Sequence, residues 1–472
     1  MSAPVPPTYS QTRRNPAERI RRSLEGASSV PFWLDSPDRP AAEPALVGAV
    51  TADLLVVGGG YSGLWAALMA KEADPSRSVV LIEASEVAWA ASGRNGGFFE
   101  ASLTHGEENG ERHFPDELEQ LHRLADENVA EFVAALERHG IDAEYEPTGT
   151  LTVATEPHQV EKLRAGGADG FYEGDALRAL VDSPVYRAGR LELHGNALIH
   201  PAKLAWGLKR ACLALGVKIF ERTRASALAK SPGGVRVTTP SGEVFATHVV
   251  LATNGFPSLV KRSRLRTIPV YDYVLMTEPL TAEQLSSIGW TDRFGITDSS
   301  RQFHYYRKSA DDRILFGGYD AVYHPGGRIR PAYDQRPATF ETLADHFFTT
   351  FPQLDVTFTH AWGGMIDMST RFVAFYGTAF GGRVAYSAGY TGLGVGATRF
   401  GAKVVLDLLS GQQTELTSLK LVRSKPMPLP PEPLATPAVT LMRRAIARSD
   451  ENGGRDGFLI RAADVFGIGF DS

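Results

Sequence analysis

Cysteine is nearly missing: Cys212 is the single thiol in 472 residues, which excludes an internal disulfide and a thiolate metal cluster. No apolar run reaches the roughly 20 residues that a membrane-spanning helix needs. The opening residues, MSAPVPPTYSQ, lack the apolar stretch of a secretory signal. Excess positive charge is missing too, with 49 Lys and Arg against 54 Asp and Glu for a net −5, so the balance does not point to nucleic acid. Among 12 histidines no H-E-x-x-H pair occurs, and Ser62 lacks the second glycine of G-x-S-x-G, so metallopeptidase and serine-hydrolase chemistry have little support. What is left is an ordinary globular composition, 43% apolar and 22% charged, long enough for two domains. A cytoplasmic protein is the expectation, without membrane or nucleic-acid partners.

Against these absences one stretch is informative. Asp53-Leu54-Leu55-Val56-Val57 is a short apolar run suited to a strand buried on both faces. It leads into Gly58-Gly59-Gly60-Tyr61-Ser62-Gly63, with Gly58, Gly60 and Gly63 in G-x-G-x-x-G spacing. In that spacing the first glycine makes the turn, the second admits a pyrophosphate and the third lets the helix pack on the strand. A helix over Leu64–Lys71 follows, its N-terminus offering N–H groups to phosphate. The strand Val79–Ile82 then delivers Glu83, 20 residues beyond Gly63, where a carboxylate can accept ribose hydroxyls. The acid disfavours a 2′-phosphate, so FAD or NAD fits better than NADP.

Residues 1–50, rich in Pro, Ser and Arg, read as an arm, with Pro31-Phe32-Trp33-Leu34 as an apolar cluster that should dock on the main body. Arg13, Arg14, Arg19, Arg21 and Arg22, interleaved with Glu18 and Glu25, read as a solvated helix face. Ala90–Gly97 is a second glycine-rich turn, suited to a flat polar ligand. Pro115–His139 is an amphipathic helix, with His122 and His139 off its apolar stripe and expected to face solvent. Val249–Leu251 reads as a buried strand running into Thr253-Asn254-Gly255. Arg383–Gly389 is another strand, leading into Tyr390–Gly396 and a helix to Leu409. From 261 to 375 the texture turns to alternating strands and aromatics, as in an antiparallel sheet with one face toward a cavity.

Four separated segments, GGGYSGLWAA with Glu83, ASGRNGG, VVLATNG and GYTGLGV, resemble the D-amino-acid oxidase and sarcosine oxidase (DAO) family of FAD-dependent amine oxidoreductases. The PFWL arm and SGRNGG turn are most similar to its γ-glutamylputrescine oxidoreductase branch. The resemblance implies an α/β fold, with a Rossmann-type FAD-binding domain (51–140, 191–260, 376–425) interleaved with an antiparallel-sheet α+β substrate domain (141–190, 261–375). A surface tail (426–472) would follow. Gly58, Gly60, Ser62 and Gly63 would hold the pyrophosphate, Glu83 the ribose and Ala225 the adenine. Ser92, Arg94, Asn95, Gly96 and Gly97 would line the isoalloxazine, while Thr253, Asn254 and Gly255 close over the dinucleotide. Thr391, Gly392, Leu393 and Gly394 would present N–H groups to the pyrimidine edge, where reduction places negative charge.

The implied reaction is oxidation of an amine C–N bond by hydride transfer to flavin N5. The resulting imine hydrolyses to a carbonyl compound, and O2 or another acceptor takes the electrons. Arg94, Tyr305, Tyr306, Arg307 and Trp362 are the candidate residues around the amine, with Tyr271 and Tyr273 as further walls. Asp367 and His304 read as structural. Trp362–Asp367 lacks the cysteine that tethers flavin in sarcosine-oxidase-like members, so FAD should be noncovalent. Arg313–Phe316 lacks their oxygen-activating lysine, with Lys308 nearby, so oxidase and dehydrogenase both stay open. A sarcosine or D-amino-acid substrate, an NAD-linked dehydrogenase and a non-catalytic flavoprotein are the alternatives.

Overall fold

The computed structural model describes residues 7–465; residues 1–6 of the expected arm and 466–472 of the expected tail lie outside the described residues. Its first sheet is built on the strand Gly48–Val57, whose Leu54, Leu55 and Val56 are inaccessible to solvent because both faces are covered. That strand pairs in parallel with Gly242–Leu251 on one side and Val79–Ile82 on the other. Lys218–Phe220 extends one edge; Val384–Ala388 and then the antiparallel Phe375–Ala379 extend the other. The helices Tyr61–Ala73, Pro201–Ala214 and Gly394–Ser410 pack together on this sheet. The turns at Gly58, Thr253 and Gly389 lie where its parallel strands end, as a doubly wound sheet requires.

The second sheet runs in the order Phe358–Ser369, Thr267–Thr277, Ile314–Gly318, His304–Lys308, Gly295–Asp298, Thr150–Ala154, Ala188–Glu192, Phe171–Glu173. It is antiparallel as expected except that Gly295–Asp298 and Thr150–Ala154 run parallel, because these strands come from distant chain segments and no hairpin joins them. Strand alternation divides its side chains cleanly. Tyr271, Tyr273, Tyr306 and Phe316 join Trp290 and Phe347 in a core against the helix Pro337–Thr350. Val274, Met276, Leu315 and Trp362 face the other way and merge with the core of the first sheet, with Tyr305 beside them.

From residue 7 the arm is seated on this body. The helix Ala17–Ser23 lies on Pro337–Thr350, Asn15 Nδ2 donates to Asp345 O at 2.9 Å, and the Arg19 guanidinium sits 4.0 Å from the centre of the Phe348 ring. The expected solvated basic face is thus partly engaged, since Arg13 also pairs with Glu341 at 2.6 Å. Trp33 is buried at 1% exposure, and its Nε1 donates to Asn95 O at 2.9 Å. The long amphipathic helix spans Leu118–Arg138 after a 3-10 turn at Pro115–Glu117. His122 faces solvent, but His139 does not: its ring is held 2.8 Å from the Glu72 carboxylate and largely covered. No helix among the described residues is long and apolar enough to cross a membrane. Removing the buried indole by Trp33→Ala should cost about 3–5 kcal/mol, through a cavity and an unbound Asn95 carbonyl. Thermal or urea unfolding against wild type would measure it.

Candidate functional site

The first turn has the close approaches its glycines require. Gly58 has φ +119°, and a Cβ there would strike the Ala252 carbonyl at the end of the neighbouring strand. A Cβ on Gly63 would strike the Gly58 carbonyl, so the helix sits directly on the turn. The space at Gly60 is bounded by Ser92 Oγ, 2.9 Å from where a Cβ would be. Ser62 looks across to the last strand, its Oγ 3.1 Å from Ser387 Oγ. Glu83 is buried and receives three N–H donors, from Gly59 (2.6 Å), Ser85 (2.8 Å) and Trp89 Nε1 (2.8 Å). Burial raises its carboxyl pKa against those donors. A carboxylate has about four acceptor positions, so a single further hydroxyl can be accepted without displacing a partner. Ala225 is partly buried two residues beyond Thr223, whose N–H donates to Glu83 O at 2.7 Å.

The second turn ties its polar side chains to protein groups inside and outside itself. Ser92 Oγ accepts the Tyr61 N–H at 3.0 Å. Asn95 Nδ2 donates to Ala91 O at 2.9 Å, and its Oδ1 accepts the Gly97 N–H at 2.9 Å. Arg94 donates to Trp89 O at 2.6 Å, to Asp334 at 2.5 Å and to Gly363 O at 3.1 Å. Ser92 Oγ is an acceptor there, so its own O–H is not used in that bond, whereas Asn95 and Arg94 spend donors on protein groups. They brace a loop that presents backbone, because a tight turn of small residues leaves its own carbonyls to be satisfied. Gly96 lies under Tyr305, whose Cε2 would be 2.6 Å from a Cβ there, and Gly97 is contacted by Arg307.

The third and fourth turns meet at Asp367. This carboxylate is 1% exposed and accepts from the N–H groups of Gly389 and Tyr390 and from the Asn254 side chain, while burial, outweighing these bonds, raises its pKa to about 7. Asn254 and Thr391 both hold positive φ, +47° and +48°, costly for a β-branched residue such as threonine. Thr391 is fixed there by Oγ1 donating to Gly389 O at 3.0 Å and accepting the Ser369 N–H at 3.2 Å. Thr253 is partly exposed, and Gly255 packs against Met365. Beyond them Gly392 opens onto free space, Leu393 is buried, and the 17-residue helix starts at Gly394 with no side-chain cap. Its first N–H groups thus stay available.

On the second sheet, Tyr305 and Trp362 face these turns. Trp362 Nε1 donates to Arg94 O at 2.9 Å, fixing the loop, and Tyr305 stands edge-on to Phe98, centroids 5.7 Å apart. The Tyr305 hydroxyl donates to Asp272, a carboxylate the sequence reading passed over. Asp272 also accepts the Tyr273 N–H at 2.8 Å, and burial raises its pKa to about 6 despite these two bonds. Its signal in the sequence was a lone acid inside an apolar, aromatic strand, Tyr271–Met276.

Three expectations for this face are corrected. Tyr306 is fully buried on the opposite side, its hydroxyl 2.5 Å from Tyr186 OH, because adjacent strand residues cannot share a face. Tyr271 and Tyr273 turn the same way. Arg307 faces the turns but is 1% exposed, its Nη1 donating to Ile199 O at 2.6 Å and Gly97 O at 3.1 Å while its buried Nη2 has no partner among the described residues, so it clamps the loop. Burial lowers the Arg307 pKa to about 10. Lys308 also turns away, its Nζ donating to Thr291 O at 3.0 Å, and Leu315 takes the inward position on the neighbouring strand. His304 lies on the reverse face, bridging Asp298 at 2.7 Å and His346 at 2.9 Å.

The residues fit a long dinucleotide. Asn254 Oδ1 is a buried acceptor with no partner, Gly60, Ser62 and Gly394 are partly exposed within a buried interior, and an uncapped helix begins where the track ends. No group of three or more metal-ligating side chains suited to an ion occurs among the described residues. The same fold occurs in glycine oxidase from Geobacillus kaustophilus, with a TM-score of 0.64 at 17% identity, covering 79% of this chain and 99% of that one. Residues 53–408 match the family described as DAO, FAD dependent oxidoreductase, and the chain belongs to that family. It is an FAD-dependent oxidoreductase. It is 31% identical over 418 residues to a probable oxidoreductase, OrdL, of Rhizobium meliloti, covering 84% of this chain and 92% of that protein. It is 28% identical over 414 residues to the gamma-glutamylputrescine oxidoreductase of Escherichia coli, again 84% and 92%. Since the Gly63 position admits no side chain, Gly63→Ala should lower bound flavin in the purified protein roughly tenfold or more, a displacement worth at least about 1.4 kcal/mol of affinity. The flavin-to-protein absorbance ratio would read it.

Proposed function

We propose that the chain oxidises the C–N bond of a polyamine-derived amine of the γ-glutamylputrescine type, and the placement of Asp272 with Tyr305 opposite the glycine turns carries this reading. Gly58, Gly60, Ser62 and Gly63 hold the FAD pyrophosphate, Glu83 and Ala225 the adenosine, and Thr253, Asn254 and Gly255 the linker. The backbones of Ser92–Gly97 and of Thr391, Gly392, Leu393 and Gly394 line the flavin ring. Bound there, FAD supplies the acceptor for a hydride from the carbon next to nitrogen. FAD is held noncovalently: Cys212 is wholly buried, its thiol 3.4 Å from Leu64 O. The segments contributing to each sheet support a nucleotide domain of 51–140, 191–260 and 376–425 and a substrate domain of 141–190 and 261–375; the compartment we propose is the cytoplasm.

Above its pKa, Asp272 is a carboxylate in a low-dielectric site, able to attract an alkylammonium and take its proton through Tyr305, leaving the neutral amine that hydride transfer needs. Val274, Leu315 and Trp362 supply apolar walls that keep water from the reacting carbon. An amino-acid substrate would need a free cation for its carboxylate. Arg94, turned toward this face, is already paired with the Asp334 carboxylate, and Arg307 is 1% exposed behind the Gly97 and Ile199 carbonyls that it binds. That favours an amine without a carboxylate beside the reacting carbon.

Anaerobic mixing with γ-glutamylputrescine should bleach the yellow flavin band faster than putrescine, sarcosine or D-alanine does. Faster bleaching by sarcosine or D-alanine would defeat the assignment. With Leu315 inward and Lys308 turned away, recolouring in air should be slow. Because Asp272 must be ionised, kcat/KM should rise as pH passes upward through about 6. Asp272→Asn should remove that limb and lower kcat/KM by about 10²-fold, the ordinary size of a proton-transfer contribution. A pH profile of both proteins checks this, an unchanged acidic limb counting against the role.

A further inference from the structure

Residues 257–271 contain Lys261, Arg262, Arg264 and Arg266 and no acid; residues 416–431 contain Lys420, Arg423 and Lys425 and no acid. The fold lays these runs side by side, the Leu429 N–H donating to Leu265 O at 2.7 Å and Arg266 donating to Pro426 O. Between them and the edge strand Phe375–Ala379 lies a cleft of about 380 Å³, bounded by Arg262, Arg266, Arg423, Lys425, Thr378 and Tyr386. None of the glycine turns lines it.

Among the described residues Arg262, Arg266 and Lys425 meet carbonyl oxygens, and no carboxylate pairs with a cation of this cleft. Arg262 donates to Thr378 O, and Lys425 Nζ donates to Val422 O at 3.0 Å. Beneath them Arg371, 5% exposed, donates to Ala374 O at 2.7 Å, Leu421 O at 2.9 Å and Ser424 Oγ at 2.7 Å. A carbonyl satisfies a donor but leaves the charge uncompensated. The effect is visible on Lys425, whose ammonium pKa is lowered to about 8 by partial burial and by Arg371, Arg266 and Arg262. A chain whose acids outnumber its bases, 54 to 49, has concentrated unpaired positive charge in one concave place.

We propose that this cleft binds a small multivalent phosphoryl anion, its charge shared among Arg262, Arg266, Arg423 and Lys425. Guanidinium forks match phosphate oxygens bidentately, and the Thr378 and Tyr386 hydroxyls add neutral donors. The boundary drawn from four chain segments suits a small ligand better than an extended chain.

The test is calorimetric titration of the FAD-saturated holoenzyme with pyrophosphate, inorganic phosphate, citrate and chloride at matched ionic strength. Pyrophosphate should bind most tightly, and Arg262→Gln/Lys425→Gln should weaken it at least tenfold with the flavin spectrum unchanged. Arg423→Gln, a change at an exposed side chain, should weaken it about threefold and carries the test alone if the double variant does not fold. No pyrophosphate heat, equal affinity in wild type and variants, or citrate binding as tightly as pyrophosphate would overturn the proposal.

Discussion

The buried carboxylate of Asp367 is the constraint on which the site rests. It stands on a strand of the antiparallel sheet yet takes its hydrogen bonds from Asn254, Gly389 and Tyr390, which follow two strands of the parallel sheet. One side chain thereby fixes the spacing between the sheets and the path of both turns. Burying a carboxylate is costly unless its oxygens are satisfied. Asn254, one of the donors, is held at positive φ, and so is Thr391, which bonds the Asp367 main-chain carbonyl. The backbone strain at these turns and the electrostatics of Asp367 are thus two sides of one arrangement.

Around that joint, charge is used to hold backbone more than to meet solvent. Arg307 and Trp362 donate to the Gly97 and Arg94 carbonyls of the second glycine turn, and Arg94 on that turn donates back to Gly363 O on the facing strand, so the loop has one conformation without a regular ladder. The consequence is a face on which Asp272 and Tyr305 form a polar pair turned toward the glycine turns. A carboxyl in that setting titrates nearer neutrality than an exposed one, because burial penalises its ionised form.

The N-terminal segment belongs to this economy of contacts. Trp33 reaches the Asn95 carbonyl inside the second turn, so the arm braces that loop from outside. The C-terminal helix Ala435–Glu451 similarly returns to the second sheet, with Arg443 donating to Asp320 at 2.7 Å and Asp450 accepting the Arg301 N–H at 3.0 Å. Segments that look peripheral in sequence restrain the two sheets from opposite sides.

The strand, glycine turn, helix and acid at 53–83 were legible in the sequence because their geometry is local: a buried parallel strand must be apolar, and a helix sitting on a turn admits no Cβ at Gly63. The same holds for the helix Leu118–Arg138, whose period sorts its own faces. The face taken by each aromatic was not legible. Tyr305 and Tyr306 are neighbours of one type, and only pairing with Ile314–Gly318 and packing on Pro337–Thr350 sent one inward and the other into a separate core. Asp272 was hidden for the same reason, since its partner hydroxyl lies 33 residues away. Local spacing determined where a dinucleotide could lie. Long-range register decided which side chains share its space, because a strand's sequence states that its residues alternate but not which face will be covered by what.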